Sequence, residues 1–207
     1  YKRQTQSSDH PDGFKNSLKI TPDSTQTPSG SENGAIRYQI EGQDVQQFAH
    51  GTSSAKPITL SFYAKSASQN SGHVYSIQIR KYDPSDSRKY VLKPFTVTDS
   101  WQRFSFTFIG DTAESISDST SNGMELAWQL SSGPDDLVSE ASTWASTTKF
   151  QAISGQNNFM DNTNNQFYLT GVQLEVGSQA TAFEHRSFND ELAICQRYYQ
   201  KYRDATY

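Results

Sequence analysis

The side chains best suited to chemistry are scattered along this 207-residue chain. Its histidines, His10, His50, His73 and His185, show no paired ligand spacing and no link to the single cysteine, Cys195, so no metal site is expected. There is no Gly-x-Ser-x-Gly elbow and no phosphate loop. Asp135-Asp136 follows Gly133-Pro134 and reads as a solvated turn, whereas glycoside hydrolysis needs two carboxylates facing each other across a sugar. Neither catalysis nor a cofactor is expected. Sugar binding, were the chain to have it, would need exposed rings beside amides and charged groups. Aromatic rings stack on sugar faces, and amides and guanidinium groups beside them hydrogen-bond hydroxyls or an acidic sugar's carboxylate. Tyr63, Tyr82, Tyr90 and Trp144 fall on polar strand faces or in loops, with Gln78, Arg80 and Lys81 as hydrogen-bonding neighbours. Arg80, Tyr82, Tyr90 and Trp144 are the residues best placed to contact a glycan if the chain meets one. Trp101 and Trp128 lie on or near apolar faces and read as packing.

Something must position these groups, and composition narrows what it is. Ser, Thr, Asn and Gln make up about a third of the chain, against 19% charged and 13% aromatic residues. That balance suits an exterior β protein; the aromatic strands argue against disorder. The net charge of −4 and the lack of a basic run make nucleic acid an unexpected partner. A lone cysteine allows no intrachain disulfide and suits assembly in a reducing cytoplasm. No apolar run is long enough to cross a bilayer, and no signal peptide is visible. The chain opens on Tyr1 rather than Met, as a fragment or processed product would.

Alternation of apolar residues predicts strands over 58–64, 74–82, 101–109 and 124–130, with further strands over 17–21 and 35–40. Residues 43–48 fit a helical turn or a strand. One polar and one apolar face per strand marks antiparallel sheets packed on one side. In the last strand Phe167 and Leu169 are out of phase with Val172, Leu174 and Val176; a bulge at Thr170-Gly171 would bring both groups inside. The fold class expected is all-β, an antiparallel jelly-roll β-sandwich followed by a short C-terminal α-helix. Its expected core contains Phe62, Ile77, Ile79, Phe104, Phe106, Phe108, Leu126, Leu174 and Val176. Residues 1–13 read as a polar N-terminal extension, 14–180 as the sandwich, and 181–207 as linker and helix. The stretch from Ser131 to Asn165 reads as one long loop, of a length that is usually functional.

The helix carries Phe188, Leu192, Cys195, Tyr199 and Tyr202 at spacings of four, three, four and three. Such a stripe either docks on its own sandwich or forms the seam of a homotrimer on a threefold axis. Ser187 or Asn189 can cap its start, and Asp190 and Glu191 suit the positive helix end.

The wording of the C-terminal region is informative as a whole. Phe167-Tyr168-Leu169-Thr170-Gly171-Val172-Gln173-Leu174-Glu175-Val176-Gly177, then Ala182-Phe183-Glu184-His185-Arg186-Ser187, then Asp190-Glu191-Leu192-Ala193-Ile194-Cys195-Gln196-Arg197-Tyr198-Tyr199 resembles the C-terminal domain of bacteriophage tail-fibre and virion-fibre proteins. Ile40-Glu41-Gly42, His50-Gly51-Thr52, the run from Ala55 to Ser66, Ser100-Trp101-Gln102-Arg103 and Gly110-Asp111-Thr112 extend the resemblance over roughly residues 14 to 202. The resemblance implies a jelly-roll module similar to carbohydrate-binding modules, on a virion fibre made in the host cytoplasm. It implies a trimer, contact with other virion proteins and host attachment through a surface glycan. Related jelly rolls tend to carry an acidic residue on the final strand that helps hold calcium; Thr170-Gly171 stands in that place. Tyr63 stands where tryptophan is usual in the third strand. A purely structural spike or decoration domain and a carbohydrate-binding module of a bacterial enzyme are the alternatives.

Overall fold

The computed structural model describes residues 2–82 and 88–199. Two five-stranded antiparallel sheets face each other across one apolar core. Sheet A contains β1 (Lys2–Ser7), β2 (Ser17–Pro22), β4 (Ile58–Ser66), β7 (Gln102–Phe108) and β12 (Phe167–Val176), in the order β1-β2-β12-β4-β7. Sheet B contains β3 (Asn33–Glu41), β5 (Val74–Tyr82), β6 (Arg88–Thr96), β8 (Asn122–Ser132) and β10 (Ala141–Ser146), in the order β10-β6-β5-β8-β3. A two-residue parallel pair, β9 (Leu137–Val138) with β11 (Ala152–Ile153), and one α-helix, α1 (Phe188–Tyr198), complete the strands and α-helices of the described residues. This is an antiparallel jelly-roll-type sandwich with a short C-terminal helix, as the alternation and turn spacing imply.

The core follows from the pleat. Ile58, Leu60, Phe62 and Ala64 of β4 point inward, as do Tyr75, Ile77 and Ile79 of β5 and Met124, Leu126, Trp128 and Leu130 of β8, and all are buried. Phe62 meets Phe95 and Trp128 edge-on, with ring centroids 5.4 and 5.5 Å away. Residues 42–48 form a 3-10 helix that buries Val45 and Phe48 against this core.

In β12, Thr170 pairs with Tyr63 and Gln173 with Ser61, so one extra residue sits in β12. The shift puts Leu169 opposite Ala64, Leu174 opposite Leu60 and Val176 opposite Ile58, all on the inward side. Gly171 holds φ +59° there, and a Cβ on it would lie 2.6 Å from a Phe14 ring carbon.

Several expectations need correction. Residues 2–7, read as part of an extension, form β1 and pair with β2 across the register Lys2–Pro22 to Ser7–Ser17. Val176 is 41% exposed because it ends its strand at the rim, so it is not core. Phe104, Phe106 and Leu174 are only partly buried, packed against the core from its margin. The expected long loop contains β10, an edge strand of sheet B, and β6 is a full strand that alternation missed. A cleft of about 820 Å³ opens between the sheets, beside the edge strand β3 and the part of β12 beyond Leu169 that β2 does not pair, and Ile36, Trp128, Leu174, Phe183 and Arg186 are among its lining residues.

Phe62→Ala is expected to cost about 3–5 kcal/mol, Phe106→Ala clearly less, and Val176→Ala under about 1 kcal/mol. Chemical denaturation of the three variants checks this ranking.

Candidate functional site

The outer face of sheet B is polar, yet it is buried. Three registered rows cross its strands: Tyr90–Arg80–Glu125–Gln39, Leu92–Gln78–Ala127–Arg37, and Pro94–Ser76–Gln129–Ala35. Ser76, Gln78, Arg80, Glu125 and Gln129 are all at most 1% exposed. Alternation puts them outside the core, so something else covers them.

The cover is residues 147–157, a strap leading out of β10. Thr147 N donates to Arg88 O at 2.8 Å, Ser154 N to Val138 O at 2.7 Å, and Asn157 N to Val74 O at 2.9 Å. Ile153 N donates to Ser76 Oγ, which itself donates to Gln156 Oε1 at 2.7 Å. Ile153 packs with Tyr90 and Leu92 in a small apolar cluster on this face. At the middle of the strap the Phe150 ring centroid lies 3.4 Å from the Arg37 guanidinium carbon and 3.8 Å from that of Arg80.

The polar floor is incompletely paired. Tyr82 OH donates to Glu125 Oε2 at 3.1 Å, Arg37 Nε lies 3.8 Å from Glu125 Oε1, and Gln129 Nε2 reaches Gln78 Oε1 at 3.4 Å. Among the described residues, Arg80 Nε and Nη1, Gln78 Nε2, Gln129 Oε1, Ser131 Oγ and Gln156 Nε2 have no hydrogen-bond partner. Burial pushes the Arg80 pKa down, against the opposing pull of Tyr82 and Glu125. Burial raises the Tyr82 and Tyr90 hydroxyls.

Three of the four candidate contacts therefore share one face. Arg80 is cross-strand from Tyr90, and its guanidinium carbon lies 5.5 Å from the Tyr82 ring centroid. Tyr82 is half-buried; Arg80 and Tyr90 are beneath the strap. Trp144 is elsewhere: its Nε1 donates to Ile109 O at 2.7 Å and its ring meets His50 edge-on at 5.4 Å. Sequence reasoning missed Arg37, Glu125 and Phe150, whose common location depends on the β3–β8–β5 order.

Trp144 belongs to a buried ionic cluster at the end of the sandwich. Lys81 points into the core side of β5, fully buried, with Nζ 2.6 Å from Asp111 Oδ2 and donating to Glu114 O. Lys89 approaches the same carboxylate at 3.5 Å. Burial works to raise the Asp111 pKa, but the Lys81 hydrogen bond and charge hold it below the usual range. Burial pushes the His50 pKa down to about 4, with the Lys81 charge adding to the effect. Among the described residues no group of three His, Cys, Asp or Glu side chains could hold a metal ion.

The helix stripe is open. Phe188 is 78%, Leu192 41% and Tyr199 73% exposed, and Cys195 is exposed; Tyr202 lies outside the described residues. Ser187 caps the helix, its Oγ accepting from Asp190 N at 3.2 Å. Arg197 Nη2, 2.6 Å from Glu41 Oε2, and Tyr198 OH tie the helix end to the end of β3.

No protein-family model matches the chain, and no curated protein matches it in sequence. Some solved structures are distantly similar. The enzymatically active domain of bacteriophage CBA120 tailspike protein 4 is 11% identical with a TM-score of 0.46, over 84% of this chain and 18% of the tailspike chain. The C-terminal family 22 carbohydrate-binding module of Clostridium thermocellum Xyn10B is 11% identical, TM-score 0.46, covering 87% of this chain and 84% of the module. The family 11 module of cellulase Lic26A-Cel5E of the same organism is 12% identical, TM-score 0.44, covering 90% and 85%.

His50 makes stability pH-dependent. Its folded pKa of about 4 lies below the unfolded value near 6.5, so the unfolded state binds the extra proton in this window. Stability is expected to be full above about pH 6.5 and to fall as pH drops toward 4, by up to about 3 kcal/mol. Urea midpoints measured between those pH values check this, and His50→Phe is expected to flatten the slope.

Proposed function

We propose that this domain belongs to a bacteriophage virion fibre and attaches to the host by binding a bacterial surface glycan on the outer face of sheet B. One observation carries the glycan reading: a sheet face of amides, guanidiniums and a carboxylate, with Tyr82 and Tyr90 beside them and several donors and acceptors unpaired. Such a mixture matches a sugar, which offers hydroxyls at its edges and a C–H face to a ring. The fibre reading rests on the resemblance of the strand, linker and helix wording to phage fibre ends.

The proposal includes a homotrimer through the helix stripe. Phe188, Leu192, Cys195 and Tyr199 leave an apolar row facing solvent, which a second and third copy would cover. Three shallow sites on one fibre would gain affinity by avidity. No catalysis is proposed. A second reading, a purely structural virion domain, is favoured by the strap, since a face that is only ever covered has no ligand to meet.

A glycan array probed with the assembled protein separates these readings. Binding that is lost in Tyr82→Ala and Arg37→Ala supports attachment, and a blank array supports the structural role. Leu192→Asp and Tyr199→Asp are each expected to shift sedimentation toward monomer by placing a charge in the seam. Incubation with bound polysaccharide is expected to release no reducing ends.

A further inference from the structure

The position of Phe150 has a chemical meaning beyond covering the floor. Arg37 and Arg80 are diagonal neighbours across β8, Arg37 opposite the small Ala127 and Arg80 opposite Glu125. Two guanidiniums converging on one point repel each other unless something of negative character lies there. Glu125 answers them only in part: it lies 3.8 Å from Arg37 and forms no ion pair with Arg80 among the described residues. What stands at the point of convergence is the face of the Phe150 ring, whose quadrupole is negative. The ring leaves Arg80 Nε and Nη1 without acceptors although the residue is 1% exposed. A π-face attracts a cation but accepts only weak N–H···π contacts, whereas a carboxylate is planar, anionic and takes two strong hydrogen bonds from one guanidinium.

We propose that Phe150 occupies, as an internal stand-in, a subsite for the carboxylate of an acidic saccharide, a uronic or sialic acid unit, and that ligand enters by displacing the 149–151 part of the strap. The proposal rests on the glycan-binding reading above. The strap is held unevenly along its length. Its two ends are pinned by backbone bonds, at Thr147 to Arg88 and at Ser154 and Asn157 to Val138 and Val74. Its middle is held by side chains: Phe150 by the two guanidiniums, and Lys149 by Asp136 at 3.4 Å and Ser31 at 3.2 Å. Once Phe150 lifts, Arg37 and Arg80 take the carboxylate, and Gln78, Gln129 and Ser131 offer their unpaired groups to hydroxyls.

The test is calorimetric titration with a set of uronate- and sialate-containing oligosaccharides and their methyl esters. The esters keep the shape and remove the charge. If the strap is closed in about nine molecules of ten, Phe150→Ala raises apparent affinity for the matching acid about tenfold by removing that competition. Phe150→Leu, which keeps the apolar fill but not the ring, is expected to give an intermediate gain and covers the case of an alanine variant that misfolds. Adding Arg80→Met to either is expected to abolish the gain. Equal binding of acid and methyl ester would overturn the acidic subsite while leaving glycan binding standing. Weaker binding by both Phe150 variants would make the ring a sugar platform and overturn the displacement. No binding of any saccharide by any variant, with a blank array for the wild type, would remove both readings together.

Discussion

The central strand of sheet A has to satisfy two registers, and much of the molecule depends on how it does so. Strands alternate faces strictly, so without an added residue Leu174 and Val176 would point outward while Phe167 and Leu169 point in. The extra residue between Thr170 and Gln173 corrects the phase. Gly171 makes it possible: φ +59° is costly for other residues, and a side chain there would strike Phe14 and Tyr63. The space left is filled by the Phe14 ring, which meets Tyr63, Phe183 and His185 at centroid distances of 5.3, 5.0 and 5.3 Å. That cluster fixes the linker after β12. Gln173 and Glu175 hold the linker from the strand side, with Glu184 N donating to Gln173 Oε1 at 2.8 Å. The helix therefore starts from an anchored point because of a glycine seventeen residues before it.

Sheet B poses a different problem. Its outer face buries polar groups that the sheet does not pair internally. Each buried donor or acceptor left unmade costs about 1–3 kcal/mol, so a closed strap over this floor lies well above what an apolar face of the same shape would give. The strap offsets part of that with Ile153 against Tyr90 and Leu92 and with the ring–guanidinium contacts of Phe150. A segment whose closed state is only modestly favourable is the kind that opens locally while the rest of the sandwich stays folded.

How much of this was legible in the sequence depended on distance along the chain. The strands with one apolar face declared themselves, and so did the bulge, because phase is a local property. β6 did not: Pro94 interrupts it, and both of its faces are buried, Val91 and Phe95 toward the core and Tyr90 and Leu92 beneath the strap. β10 is rich in Ala, Ser and Thr and pairs only at an edge, so it carried no alternation. Ser76, Gln78, Arg80 and Tyr82 were readable as one polar face; that this face is roofed was not, since the roof comes from a loop without periodicity. Trp144 looked like a loop aromatic, but its strand turns it against His50 and Lys81.

The same contrast explains the helix. Sequence spacing showed a stripe without saying what it faces, and in the isolated chain the stripe faces water. The helix is tied down at its far end mainly by polar bonds to one carboxylate, Glu41, where Arg197 and Tyr198 converge. Exposed ion pairs of this kind contribute about 0–1 kcal/mol, too little to orient a helix of three turns against thermal motion. Beside it, the cleft between β3 and β12 leaves apolar wall residues such as Ile36 and Leu174 only partly covered. An apolar row on a weakly held helix, next to an incompletely closed sandwich edge, is a surface whose hydrophobic free energy is recovered only on contact. In the proposed homotrimer other copies of the chain would bring matching rows to it, and assembly and the final positioning of α1 would then be one event.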